Sequence, residues 1–176
     1  MNTFRSWLVR VPAWVAHSAT RQPVLFAALM LFLVLWGGAT GNPARATASI
    51  HLAIIANASV PIQSLKAAEL ASIFTRTTRN WKDGALIRPL NLPPGSAERM
   101  EFDRVILRME PEQSAQYWVD RMVRGEEAAP KAIAKPEILV RLVETTSGAI
   151  GYVPHDKVGG STRVLARIQD GKVVWP

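Results

Sequence analysis

The sequence predicts an α/β layer fold in which helices flank a mostly parallel sheet. Three observations carry this. The run "IHLAIIA", Ile50 to Ala56, is apolar and rich in β-branched residues, as a buried strand is. Two later stretches place apolar residues at helical spacing: Phe102, Val105, Ile106, Met109, and then Ala115, Trp118, Val119, Met122, Val123. In "TTSGAIGYVP", Thr145 to Pro154, a helix-like segment passes through Gly148 into a second short apolar run. Strands alternating with helices favour crossover connections and hence parallel neighbours.

Taken in order, Asn57 to Pro61 reads as a loop, and Ser64 as the N-cap of a helix turning Leu65, Leu70, Ile73 and Phe74 inward. The polar "TRTTRNWKDG" ends in Asp83-Gly84, a turn signal, and Leu86 to Leu90 is a second strand. "NLPPGS" is a loop delivering the chain to Ser96. The two periodic segments follow as helices, each expected to bury one face. "RGEEAAPKAIAK" connects them to a further helix, which has Pro136 in its first turn and buries Ile138, Leu139, Leu142 and Val143. Gly148 sits just past that helix, where a left-handed residue is cheapest without a Cβ. Ala149 to Val153 is the next strand, and Gly151 leaves room for something to approach its backbone. A strand at Arg163 to Ile168, an Asp170-Gly171 turn and a short Val173 to Trp175 strand complete the chain.

The first 48 residues differ from the rest. Arg5, Arg10 and Arg21 precede an apolar run of thirteen residues, Val24 to Trp36, and no acidic residue occurs before Glu69. Small residues then stand at A-x-A spacing, Ala44/Ala46 or Ala46/Ala48. This is the pattern of a secretory signal peptide over residues 1–48, with an uncleaved membrane anchor as the alternative. The apolar run is shorter than the ~20 residues a spanning helix wants. Residues 49–176 then form the exported domain, expected in the periplasm. Four of the 21 basic residues and none of the 14 acidic ones precede Ser49, so the net charge falls from +7 to +3. The basic balance is therefore partly an export signal, and nucleic acid is not an expected partner. The chain has no cysteine, which excludes disulfides, thiolate catalysis and cysteine metal sites.

Signals of catalysis are weak, and no metal or cofactor site is expected. No nucleophile elbow, zinc-protease helix or phosphate-binding P-loop occurs. His155-Asp156 beside some serine has no triad geometry by adjacency alone. The most informative stretch is "LNLPPGSAERMEF", Leu90 to Phe102. A Pro- and Gly-rich loop ends on Gly95 and Ser96 at a helix start, where unpaired first-turn amides of Ala97 and Glu98 suit an anion. Arg99 stands one turn in and could add donors. The competing reading is that Ser96 only caps the helix and Arg99 is solvated. Glu98 supports that reading, since a first-turn carboxylate satisfies the helix dipole and repels an anion by about 4 kcal/mol at 4 Å and an effective dielectric of 20.

The order of these motifs resembles the phosphate-type periplasmic solute-binding proteins of ABC importers. A strand is followed by "LKAAELASIFTRTTRNWKDG", "PPGSAERMEF", "YWVDRMVRGEEAAP" and "TTSGAIGYV", spanning about residues 50–155. The more specific parts are the Glu69-Leu70, Ile73-Phe74, Trp81, Gly84 spacing and the string Gly148-Ala149-Ile150-Gly151-Tyr152, mostly scaffold positions. The resemblance implies one lobe of a type II periplasmic-binding-protein-like fold, like the short single-lobe relatives of the two-lobed receptors. It implies "SGAIGYV" as a strand beside the ligand cleft, with Thr146, Ser147 and Gly148 facing the anion. The family's phosphate loop reads roughly Arg-x-Asp-Gly-Ser-Gly-Thr. Here Gly95 and Ser96 match, Leu92 stands where the arginine would be, and Ala97 and Glu98 replace the Gly-Thr.

The sequence thus implies an exported non-enzymatic binding protein that takes phosphate or a similar oxyanion weakly. Its expected ligand residues are Gly95, Ser96, Ala97, Glu98, Arg99, Thr146, Ser147 and Gly148. An inner-membrane transporter or sensor and a second copy of the chain are the expected protein partners. The alternative is a periplasmic interaction or sensor module with no small-molecule ligand.

Overall fold

The computed structural model describes residues 49–176, so the signal-peptide or anchor reading of residues 1–48 lies outside the described residues. Six strands form one sheet: β1 (Leu52–Ala56), β2 (Arg88–Asn91), β3 (Lys131–Ala132), β4 (Ala149–Pro154), β5 (Arg163–Gln169) and β6 (Lys172–Val174). The helices are α1 (Ala67–Phe74), α2 (Ala97–Phe102), α3 (Pro111–Val123) and α4 (Pro136–Thr145). Helix α2 runs on into wider π-type turns at Asp103–Leu107. Among the described residues no helix is long and apolar enough to cross a membrane.

The strand order is β3-β2-β4-β1-β5-β6, and the sheet is mixed where the sequence suggests a mostly parallel one. Only β2 runs parallel to its neighbours, β3 and β4. β1 is antiparallel to both β4 and β5, and β5 to β6. The physical reason is that β1 lies between β4 and β5, strands from the far end of the chain, so alternation of elements does not set its direction. Asp170 and Gly171, both at positive φ, make the two-residue hairpin turn between β5 and β6. Strand β3 falls inside a stretch that reads as pure connection in sequence. Its loop is held by Glu127, which receives ion pairs from Arg76 at 2.7 Å and Arg79 at 3.2 Å.

β1, buried throughout, and β4, buried from Ala149 to Val153, form the centre of the core. Phe74, Phe102 and Tyr152 make an aromatic cluster against them, the rings of Phe102 and Tyr152 stacked at 4.0 Å. The Tyr152 hydroxyl accepts from the Leu92 amide at 3.4 Å, and burial pushes its pKa well up. Helix α1 starts at Lys66 and not at Ser64: the Lys66 amide donates to the Glu69 carboxylate at 2.8 Å, which replaces a serine cap. Helix α3 departs further from expectation. Only Ser114 of it is buried, while Val119, Met122 and Val123 face outward, so its apolar stripe is a surface feature. Ile138 of α4 is likewise exposed, and Leu139, Val140 and Val143 carry that helix's packing.

Candidate functional site

Strand β2 hands the chain to Leu92, Pro93 and Pro94, and Gly95 turns it at φ +81° into Ser96. Ser96 is the N-cap of α2 as expected. Its backbone is extended, and its hydroxyl accepts from the Arg99 amide at 3.2 Å. The amides of Ala97 and Glu98 find no acceptor among the described residues, and Ala97 is exposed. This first turn therefore presents two outward donors next to a serine cap.

Arg99 is neither solvated nor directed at that turn. It is 7% exposed, and its Nε donates to both carboxylate oxygens of Asp103 at 2.8 Å. An Nη group reaches the Ser114 hydroxyl at 3.4 Å. Burial pushes the Asp103 carboxyl above its ordinary value, against the opposing pull of Arg99. The guanidinium charge is thus spent on a buried counter-charge, which leaves little for an anion. The i,i+4 spacing of Arg99 and Asp103 is legible in sequence as a helix-face pair. Its burial is not, because that depends on α3 closing over it with Ser114.

Thr146, Ser147 and Gly148 lie elsewhere. They join α4 to the start of β4, and Arg88, at the start of β2, is the register partner of Ala149. Ser96 follows the other end of β2, so the two groups are separated by that strand, more than about 10 Å at 3.3 Å per residue. The structure does not bring them to one point. Thr146 to Gly148 instead meet the loop after β1. Gly148 N donates to the Ser59 hydroxyl at 3.1 Å, and Ser59 and Ser147 share a hydroxyl contact at 3.1 Å. Asn57 pins this corner, its amide donating at 2.7 Å to the carbonyls of Val143 and Glu144.

The two glycines of "SGAIGYV" make room for the protein itself. A Cβ on Gly148, at φ +74°, would collide with the Leu86 carbonyl. One on Gly151 would stand 2.6 Å from Leu139 Cδ2. Trp81 closes over the first of them, its Nε1 donating to the Gly148 carbonyl at 3.1 Å.

A cleft of about 270 Å³ opens beside α2, between Gly95, Arg99, Asp103, Ser114, Trp118 and Pro130. Its walls are mainly apolar, with the neutralised Arg99–Asp103 pair among them. A second, wider groove of about 520 Å³ shares Met100 and Pro111 with it and carries Ala97, Glu101, Arg104 and Lys172. His51 Nε2 lies 3.0 Å from the Ser49 hydroxyl and 3.6 Å from Asp170, so serine and carboxylate compete for one nitrogen and form no relay. Among the described residues no group of acidic or histidine side chains is arranged to hold a metal.

Several solved structures share the fold at low sequence identity. A phosphate ABC transporter substrate-binding protein from Clostridium perfringens with bound phosphate superposes with a TM-score of 0.53 at 20% identity, over 66% of this chain and 45% of that one. An ABC-type phosphate transport receptor from Vibrio cholerae gives 0.53 at 18%, over 66% and 46%. PstS from Borrelia burgdorferi gives 0.52 at 17%, over 66% and 47%. No family model matches the sequence, and no curated protein does. The domain is therefore similar in fold to part of these phosphate-binding proteins, as the motif order implied. This chain spans less than half the length of each. At this identity the likeness establishes the fold and leaves the ligand to the site's own chemistry.

Proposed function

We propose that the domain is a solute-binding-type lobe that takes phosphate or a similar oxyanion, weakly, at the turn Gly95 to Glu98, and works in the periplasm. The observation that carries this reading is the pair of outward, unpaired amides on Ala97 and Glu98 at the Ser96 cap, directly after the carboxyl end of β2. Crevices at the carboxyl ends of parallel strands are where α/β sheets take ligands. The likeness to phosphate-binding proteins supports the ligand class. Arg99 stabilises the turn through Asp103 and gives no direct contact, and the Glu98 carboxylate opposes the anion. Both lower the expected affinity to the millimolar range, about −4 kcal/mol.

Isothermal titration of phosphate into the wild type and Glu98→Thr tests it. The reading predicts weak, salt-sensitive heat in the wild type and tighter binding in the variant. No heat in either at tens of millimolar would leave the second reading, a protein-interaction module. The exposed apolar stripe of α3 is the specific observation in favour of that second reading.

A further inference from the structure

Of the turn Gly95 to Glu98, only Gly95 borders the cleft of about 270 Å³ beside α2, while Ala97 lines the wider groove. The cleft therefore has a chemistry of its own. Met100, Pro111, Ala115, Trp118 and Pro130 supply apolar walls. One corner is polar, and there Arg99, Asp103 and Ser114 meet. An apolar pocket with a few convergent polar groups is the usual form of a small-molecule site.

We propose that this cleft is a ligand site in its own right, taking a small uncharged molecule with one ring and a carbonyl oxygen. Three observations select that chemistry. The first is charge. Arg99 is balanced by Asp103 at 2.8 Å, so a charged ligand entering here would lose its hydration and find no free counter-charge. The second is hydrogen-bonding capacity. Nε of Arg99 serves Asp103 and one Nη group reaches Ser114, with the Tyr152 hydroxyl a further neighbour. A guanidinium has five N–H groups, so at least two keep no acceptor among the described residues. The shielded indole N–H of Trp118 has none either. Unpaired donors favour a ligand that brings an acceptor. The third is size. The space, about 270 Å³, is nearly twice a cavity of ~150 Å³ that holds benzene and just under the ~300 Å³ where pockets for larger ligands begin. One ring with a short polar arm fits it.

Binding is modest. A ligand of about nine heavy atoms held by one polar contact is expected to half-saturate at roughly 0.3–5 mM. Ala115 is exposed on α3 and borders the cleft, so a larger side chain there fills it without entering the core. Gln116, the next residue, is exposed and lies outside the cleft.

The test is a titration of acetophenone into the full chain near neutral pH, following the indole N–H signal of Trp118, which Trp118→Phe assigns. The proposal expects a saturable shift in that millimolar range. Benzoate, similar in shape but charged, should bind at least about five-fold more weakly. Ala115→Trp should weaken acetophenone by at least about five-fold, and Gln116→Trp should bind like the wild type. Far-ultraviolet circular dichroism verifies that both variants keep the fold. No saturable shift up to about 20 mM, well above the range expected for so small a ligand, would overturn the proposal. So would benzoate binding as tightly as acetophenone, or Ala115→Trp binding like the wild type.

Discussion

Arg99 and Asp103 face each other across one helical turn, with Nε 2.8 Å from each carboxylate oxygen and both side chains nearly inaccessible to water. A cation that reads in sequence as a ligand donor is in this fold an internal counter-charge. Breaking such a pair from one side strands the other charge in a poorly solvated place. Arg99→Met is therefore expected to lower stability by about 3–5 kcal/mol at neutral pH. Urea unfolding measures this. A loss below about 1 kcal/mol would mean that Asp103 escapes to solvent and the pair is dispensable.

The same pair has a pH signature. Burial holds the Asp103 carboxyl above its ordinary 3.8 despite Arg99, so the folded state keeps its proton to higher pH than the unfolded chain does. The resulting stability is fully present below the unfolded value and is lost as pH rises through the raised one. The stability of the wild type relative to Asp103→Asn should accordingly be greatest in acid and shrink towards neutrality. Paired urea midpoints between about pH 3.5 and 8 measure the difference. A difference that grows with pH would show that Arg99 outweighs burial.

Trp81 and Trp118 differ in burial. Trp81 is buried and hydrogen-bonded to Gly148, so Trp81→Ala should cost about 3–5 kcal/mol. Trp118 is only half-buried at the cleft, and Trp118→Ala should cost less than about 1.5 kcal/mol, in the range of ordinary partly exposed substitutions. Equal costs would place Trp118 in the core after all.

Gly148 combines a left-handed backbone with contact against the Leu86 carbonyl. Gly148→Ala should lose roughly 2–4 kcal/mol from strain and overpacking together. Calorimetric or urea unfolding would show it. A variant as stable as the wild type would mean that the α4–β4 corner relaxes at no cost.

Local signals of the fold were legible in sequence. The strands at 52–56 and 149–154, the Ser96 cap, Pro136 at the start of α4 and the Asp170-Gly171 hairpin all depend on short-range chemistry and appear where expected. What failed depends on contacts between distant residues. The antiparallel placement of β1 follows from its pairing with β4 and β5, about a hundred residues away. The periodicity of α3 correctly marks an apolar face, yet periodicity does not say which surface that face meets. The candidate site divides in the same way. Gly95 to Glu98 form one turn because they are consecutive, whereas Thr146 to Gly148 are carried to the other end of β2 by the parallel register of β2 and β4. The i,i+4 pairing of Arg99 with Asp103 is readable from spacing, but its burial under Ser114 is not.

The proposed oxyanion site is the Ser96 turn, at the far end of β2 from Thr146 to Gly148. Amide chemical shifts recorded during a phosphate titration test it most directly, because they separate the two ends of β2. Binding at the Ser96 turn predicts saturable shifts at Ala97 and Glu98 at millimolar phosphate, reduced by added salt, with Thr146, Ser147 and Gly148 unmoved. Shifts confined to Thr146–Gly148, or none at all at tens of millimolar, would contradict it.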